Sequence, residues 1–222
     1  MPVVGATCVI DLYHADEVTD WDRLKSAGIV AVIHKATEAL HFTDSAYLKR
    51  KAIAKAKGFL WGSYHYASGD DPVAQANHYL DFAKPGADEL ICLDCERSSQ
   101  PKHGPHVPDM TYDQLVAFVG QVQARAHRLP FVYGGANFLS GLMKGKAPSP
   151  VNQCPLWFAE YPGGNATAPQ VPLPDGWKDW ILWQYAADGA GPEPRTVDGV
   201  VACDRDTFHG TVDQLNAAWP FT

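Results

Sequence analysis

Short apolar segments alternate with amphipathic stretches through the first two thirds of this chain. That alternation restricts the fold more than any other feature. The segment CVIDLY (8–13) is β-branched and carries Asp11. TDWDRLKSAG follows as a short helix, with Thr19 or Asp20 as N-cap and Gly28 as its stop. VAVIHKA (30–36) is nearly all apolar, as a strand covered on both faces should be. Residues 44–57 form a lysine-rich helix opened by Asp44, and FLWGSYHYA (59–67) is the third strand. Asp71 and Pro72 supply the N-cap and first position of a helix reaching Ala83. Glu89 to Cys95 is the fourth strand. Thr111 to Arg128 is a helix with a Thr111–Gln114 capping box and a stripe of Leu115, Phe118, Val119, Val122 and Ala126. PFVYGG (130–135) is the fifth strand.

The last third is built differently. Nine of the 17 prolines fall between Pro148 and Pro194, around PLWFAEY (155–161), DWILWQY (179–185) and VVACDRDTF (200–208). These read as three further strands joined by long loops. The fold class is therefore α/β, with about five parallel βα units followed by three strands, and an irregular barrel is the economical closure. No repeat or low-complexity linker divides the chain, so residues 1–222 are taken as one domain.

Asp94 and Glu96 lie two residues apart in LICLDCERSS. Strand side chains alternate with period two, so both carboxyls point the same way, with Cβ atoms roughly 6.5 Å apart. Like charges that close resist ionising together, so one pKa should rise while the other stays low. A protonated and an ionised carboxyl at a strand end can perform glycoside hydrolysis. The other strand ends supply an independent inventory: Asp11, Tyr13 and His14; Lys35 and Glu38; Tyr64, His65 and Tyr66; Tyr133; Glu160 and Tyr161; Trp183, Gln184 and Tyr185; Asp204 and Asp206. Carboxylates, amides and aromatics on one rim suit a saccharide, whose rings present C–H faces and hydroxyls.

Several classes of function are disfavoured. The formal net charge is −7, and the one basic cluster, Lys49, Arg50, Lys51, Lys55 and Lys57, fits the solvated face of a helix, so nucleic acid is not expected as a partner. No stretch approaches the roughly 20 apolar residues that cross a bilayer, and the first residues lack the basic and apolar regions of a signal peptide. No membrane insertion is expected, and the route to a target stays open. The five cysteines, 8, 92, 95, 154 and 203, are expected to be reduced. Cys92 and Cys95 face opposite sides of a strand and cannot easily share a metal. No spacing of the H-E-x-x-H kind occurs, so neither a metal nor another cofactor is expected.

The residues together resemble the family 25 glycoside hydrolases, the Chalaropsis-type lysozymes, over almost the whole chain. VIDLYH is similar to the family's opening strand, with Asp11; VAVIHKATEA to its I-K-A-T-E-G, with Lys35 and Glu38; and GSYHYA to G-x-Y-H-F, with Tyr64 and His65. LDCE matches D-x-E. FVYGGANFL carries Tyr133, LWFAEY carries Tyr161, WILWQY carries Trp183 and Gln184, and CDRDTFHG places Asp204. The resemblance implies a TIM-like barrel and a monomeric muramidase acting on the β-1,4 bond between N-acetylmuramic acid and N-acetylglucosamine of bacterial peptidoglycan. It implies Glu96 as acid and Asp94 as the ionised partner that orients the substrate's acetamido group or acts on water or carbon. Asp11 and Asp204 would stabilise developing positive charge. Tyr64, Tyr133, Tyr161 and Trp183 would form saccharide walls, with Lys35, His65 and Gln184 as further contacts. Departures are Tyr13 for the usual Ser, Ala39 for Gly, Glu160 for an amide or small residue, and Asp206 for Asn; the two acids are expected to add charge near the rim. A non-catalytic glycan-binding module and a hydrolase of chitin-like polymers are the alternative readings.

Overall fold

The computed structural model describes residues 3–100 and 106–221. Strand β1 (Ala6–Leu12) leads to helix α1 (Trp21–Ser26), whose N-cap is Asp20, accepting from the amides of Asp22 and Arg23 at 2.8 and 3.1 Å. Gly28, at φ 92°, ends the turn after it. Strand β2 (Ala31–Glu38) is followed by the two-residue strand β3 (Phe42–Thr43), which folds back on it, and by α2 (Tyr47–Ala56). Asp44 accepts from the Ala46 amide at 2.9 Å and so shapes the turn before α2 rather than capping it. Strand β4 (Leu60–Tyr66) precedes α3 (Pro72–Ala83), which Asp71 caps and Pro72 opens. Strand β5 (Leu90–Asp94) precedes α4 (Tyr112–Ala126), with the Thr111–Gln114 capping box in place. Strand β6 (Phe131–Gly135) runs into α5 (Ala136–Met143). Then come a 3₁₀ turn at Pro150–Gln153, strands β7 (Leu156–Ala159), β8 (Leu182–Ala186) and β9 (Asp204–Phe208), and helix α6 (Val212–Ala218).

The strand order among the described residues is β1-β9-β8-β7-β6-β5-β4-β2-β3, and β1 also pairs with β2, so eight strands close into a barrel with β3 appended outside. Pairings from β1 through β2, β4, β5, β6, β7 to β8 are all parallel. The closing strand β9 is antiparallel to both β8 and β1. This puts the first residue of β9 on the rim where the other strands end.

Adjacent residues of one strand enter different cores. Val9, Ile33, Leu90, Phe131, Trp157, Leu182 and Phe208 fill the barrel. Ile10, Val32, Ile91, Phe158 and Trp183 pack outward beneath the helices, against Phe118, Val119 and Val122 of α4. Cys92 lies in the inner core and Cys95 in the outer one, so the C-x-x-C residues face apart, and all five cysteines are free thiols.

The basic cluster on α2 is less solvated than its sequence suggests. Lys51 and Lys55 pair with Glu89 at 2.7 and 2.6 Å, and Lys57 with Asp22 at 2.6 Å. Arg50 turns inward. It donates to the Tyr13 carbonyl at 2.7 Å and to the Asp16 carbonyl, fastening the loop after β1. None of the described helices is long and apolar enough to cross a membrane.

Candidate active site

A pocket opens on the C-terminal rim, lined by Asp11, Tyr13, Lys35, Tyr64, Tyr66, Asp94, Glu96, Tyr133, Trp157, Gln184 and Asp204. Seven of the barrel strands point inward-facing residues into it: Asp11 from β1, Lys35 from β2, Tyr64 and Tyr66 from β4, Asp94 from β5, Tyr133 from β6, Trp157 from β7 and Gln184 from β8. Glu96 follows two residues after Asp94 on the same side, and Asp204 opens β9. A wider groove runs from this pocket past Asp16, Asp188, Arg195 and Cys203.

The turn carrying Glu96 lies close against β6. The Cys95 amide donates to the Tyr133 carbonyl at 2.9 Å. A Cβ on Gly134 would lie 2.6 Å from the Cys95 carbonyl oxygen, so glycine is what lets β6 approach the end of β5.

Gln184 organises the opposite wall. Its Nε2 donates to Asp11 at 2.7 Å and to Asp204 at 3.2 Å, while its Oε1 accepts from the hydroxyls of Tyr133, at 2.7 Å, and Tyr161. One amide thereby aligns two carboxyls and two phenols. Lys35 pairs with Glu38, and its ammonium lies 4.6 Å from the centre of the Tyr66 ring. The Tyr66 hydroxyl donates to the Arg97 carbonyl at 2.6 Å.

Burial raises the carboxyl pKa values throughout the pocket. Asp94 is raised well above the ordinary value, by burial first and by Glu96 second, with Lys35 opposing. Glu96 is raised by burial, against the pull of the Tyr66 hydroxyl and Lys35. Asp11 is raised well above its usual value by burial, Asp206 and Asp204. Asp204 is pushed up to about 7 by burial and by Asp188 and Asp16. Both carboxyls of the pair are thus shifted in the same direction, each by burial first. Asp94 is the deeper group, and its Oδ1 is buried with no hydrogen-bond partner among the described residues, so burial opposes its ionisation strongly.

The pocket brings together Asp11, Lys35, Tyr64, Asp94, Glu96, Tyr133, Gln184 and Asp204, and Tyr161 joins through its hydroxyl. His65 and Trp183 lie elsewhere. His65 is fully buried on the helix side of β4, bonded to Thr37 Oγ1 at 2.8 Å and Gln75 Oε1 at 3.1 Å, with its ring stacked on Phe118. Trp183 is fully buried in the outer core, and its Nε1 donates to the Glu160 carbonyl at 2.8 Å. Both sit at odd offsets from the groove residues Tyr64 and Gln184, so the period-two rule that joins Asp94 to Glu96 also excludes them. The two extra acids part company. Glu160 follows the end of β7 and shares a groove with Glu96, its carboxylate accepting from the Gln170 amide at 2.8 Å, whereas Asp206, expected near the rim, is sealed one layer below the pocket. Tyr13 and Tyr66, from the strand-end inventory, line the site, and Trp157 joins them without having been expected there; inward parity on β7 was the available signal. Among the described residues, no group of three or more His, Cys, Asp or Glu is arranged to hold a metal ion.

A βα barrel with paired carboxyls on its C-terminal rim, facing a tyrosine-lined wall, has the class features of a barrel glycosidase. The match is specific: the chain belongs to glycosyl hydrolases family 25, whose family model covers residues 10–193. It is 28% identical over 191 residues to the autolytic lysozyme of Clostridium acetobutylicum, covering 82% of this chain and 51% of that protein. To lysozyme M1 of Streptomyces globisporus it is 27% identical over 222 residues, covering 94% of this chain and 69% of the relative. The chain thus spans about half the length of the first of these relatives and over two thirds of the second. Its fold is similar to the bacterial lysozyme of Streptomyces coelicolor, with a TM-score of 0.77, 24% identity, and coverage of 98% of this chain and 97% of that one.

Proposed function

We propose that this glycoside hydrolase is a muramidase, cutting the β-1,4 bond between N-acetylmuramic acid and N-acetylglucosamine in bacterial peptidoglycan. The observation that carries the reading is that Asp94 and Glu96 line one pocket, facing Asp11, Asp204 and the Tyr133–Gln184 wall. The named lysozyme relatives support the substrate class.

Glu96, nearer the mouth and part-exposed, is the general acid for the leaving oxygen. Asp94 orients the reacting sugar. Its carboxylate, at the base of the pocket, is the acceptor for the N–H of an acetamido group. Such a bond favours the Asp94 carboxylate, and the proton held by the pair then resides on Glu96, where bond cleavage uses it. The substrate's own acetamido oxygen is then positioned for attack at the anomeric carbon, as an alternative to direct attack by a carboxylate or by water. Asp204 stabilises developing positive charge from the far side. Tyr64, Tyr133, Tyr161 and Trp157 supply the sugar-facing walls. The protein acts on the wall as a monomer, after release, injection or secretion.

The decisive experiment is turbidity clearing of purified cell walls by Glu96→Gln. We expect a loss on the order of 10²–10⁴-fold with the melting temperature retained. Wild-type rates in that variant would reject the assignment. Product analysis on walls and on chitin oligomers separates the muramidase reading from a chitinase-like one, and release of new reducing ends excludes a pure binding module.

A further inference from the structure

Asp206 lies inside the barrel, fully buried, one layer below the pocket. On the antiparallel β1–β9 ladder, Asp11 faces Asp204 and Val9 faces Asp206, so Asp11 and Asp206 are diagonal neighbours on the inner face. One oxygen of Asp206, Oδ1, accepts from Trp157 Nε1 at 2.7 Å. The other, Oδ2, is buried and has no donor among the described residues. A carboxylate buried with one bare oxygen is costly, and the neighbour that the β1–β9 register sets diagonally beside it on the inner face is Asp11, itself a carboxyl. Two ionised carboxylates can only accept. A proton on one of them turns the contact into a hydrogen bond.

We propose that Asp206 is a positioning residue that holds a single proton on Asp11, with Asp11 donating its O–H to Oδ2 of Asp206 and the negative charge lying on Asp206. The placement follows from the neighbours. Trp157 donates to Asp206, and Arg205, on the opposite face of β9 and bonded to the carbonyls of Thr196 and Thr7 at 2.8 and 3.0 Å, is the cation nearest in sequence to it. Asp11 instead faces Asp204, which opposes a charge there. Gln184 Nε2 donates to Asp11 Oδ2 whether or not Asp11 is ionised, and leaves its second oxygen for the proton. The other titratable groups around Asp11 are Asp16 in the loop after β1, Tyr64 on β4, Cys92 on β5, Tyr133 on β6, Tyr161 after β7 and Cys203 before β9. Burial keeps the tyrosines and cysteines neutral. Lys35 on β2 pairs with Glu38. The consequence is that Asp11 enters the reaction as a neutral group, and the charge under the sugar sits one layer deeper than the carboxyl that lines the pocket.

The effect on rate rests on the glycosidase reading, but the proton is observable without turnover. In Asp206→Asn the amide accepts from Trp157 through its oxygen and donates to Asp11 through its nitrogen, so Asp11 ionises at neutral pH. Infrared difference spectra of that variant should lose one protonated-carboxyl band relative to wild type. The alkaline limb of its kcat/KM profile should move up by about half a pH unit or more, because a charge now sits closer to Glu96. Carboxyl-carbon NMR of wild type with labelled aspartate should show Asp11 still protonated at neutral pH, a measurement that stands even if the variant folds poorly. Two ionised carboxylates in that titration, or an unchanged infrared spectrum in a folded Asp206→Asn, would overturn the proposal.

Discussion

Nε2 of Gln184 lies 2.7 Å from Oδ2 of Asp11, reaching from β8 to β1 across the intervening strand β9. The contact makes one buried amide the clamp between the walls of the pocket. Gln184→Leu removes the donor to Asp11 and Asp204 and the acceptor of Tyr133 and Tyr161 together. Because orphaned buried polar groups cost about 1–3 kcal/mol each, we expect an unfolding free energy lower by roughly 2–4 kcal/mol, measured in urea, and wall clearing at least about tenfold slower. Unchanged urea stability would show that the clamp contributes nothing.

Ala39 adopts φ 48°, in the left-handed region that favours glycine. It sits in the turn between β2 and β3, next to Glu38, where its amide donates to the Tyr66 carbonyl at 3.1 Å. The backbone strain there is the cost of having alanine at this position. Ala39→Gly should stabilise the protein by about 0.5–1 kcal/mol without altering turnover. A lower melting temperature in that variant would contradict the strain.

The rim acids set an unusual pH dependence of stability. Asp204 is pushed up to about 7 and Asp16 to about 6, each by burial first, and Asp11, Asp94 and Asp206 shift in the same direction. A carboxyl whose folded pKa lies above its unfolded value of about 4 binds more protons when folded, so stability falls as pH rises between the two values. Asp20 has the opposite sign. Its pKa is lowered by the amides of Arg23 and Asp22, so its contribution is lost only as pH drops through the ordinary carboxylate range. The urea midpoint should therefore be higher near pH 5 than near pH 8, with a shallower slope in Asp204→Asn. A midpoint that climbs steadily over that interval would refute the linkage.

His65 tests the division between the two faces of β4. Its ring bonds Thr37 and Gln75 under α3 and α4, away from the pocket. His65→Leu should lose about 1–3 kcal/mol of stability through the orphaned Thr37 hydroxyl while keeping kcat/KM within about twofold below its melting point. A selective rise in KM would return His65 to the binding surface.

Much of this was legible in the residues. The caps at Asp20, Asp71 and Thr111 are local hydrogen bonds, so the starts of α1, α3 and α4 follow from spacing alone. The common face of Asp94 and Glu96 follows from the pitch of a strand. The same parity argument, applied to His65 and Trp183, would have turned both away from the groove. Strand β9 was visible as a strand but not in its direction, because an antiparallel closure is decided by where the chain returns and not by which residues it contains.

The order of apolar and polar residues along the chain determined a βα barrel with acids and aromatics at its strand ends, since periodicity and capping act over a few residues. Tertiary structure alone decided the depth and neighbours of each carboxyl. Burial of Asp94 below Glu96, the Gln184 clamp and the β1–β9 pairing that sets Asp11 diagonal to Asp206 join residues up to 195 positions apart. Charge in a pocket depends on depth and neighbours in space, and neither is written in the order of the residues.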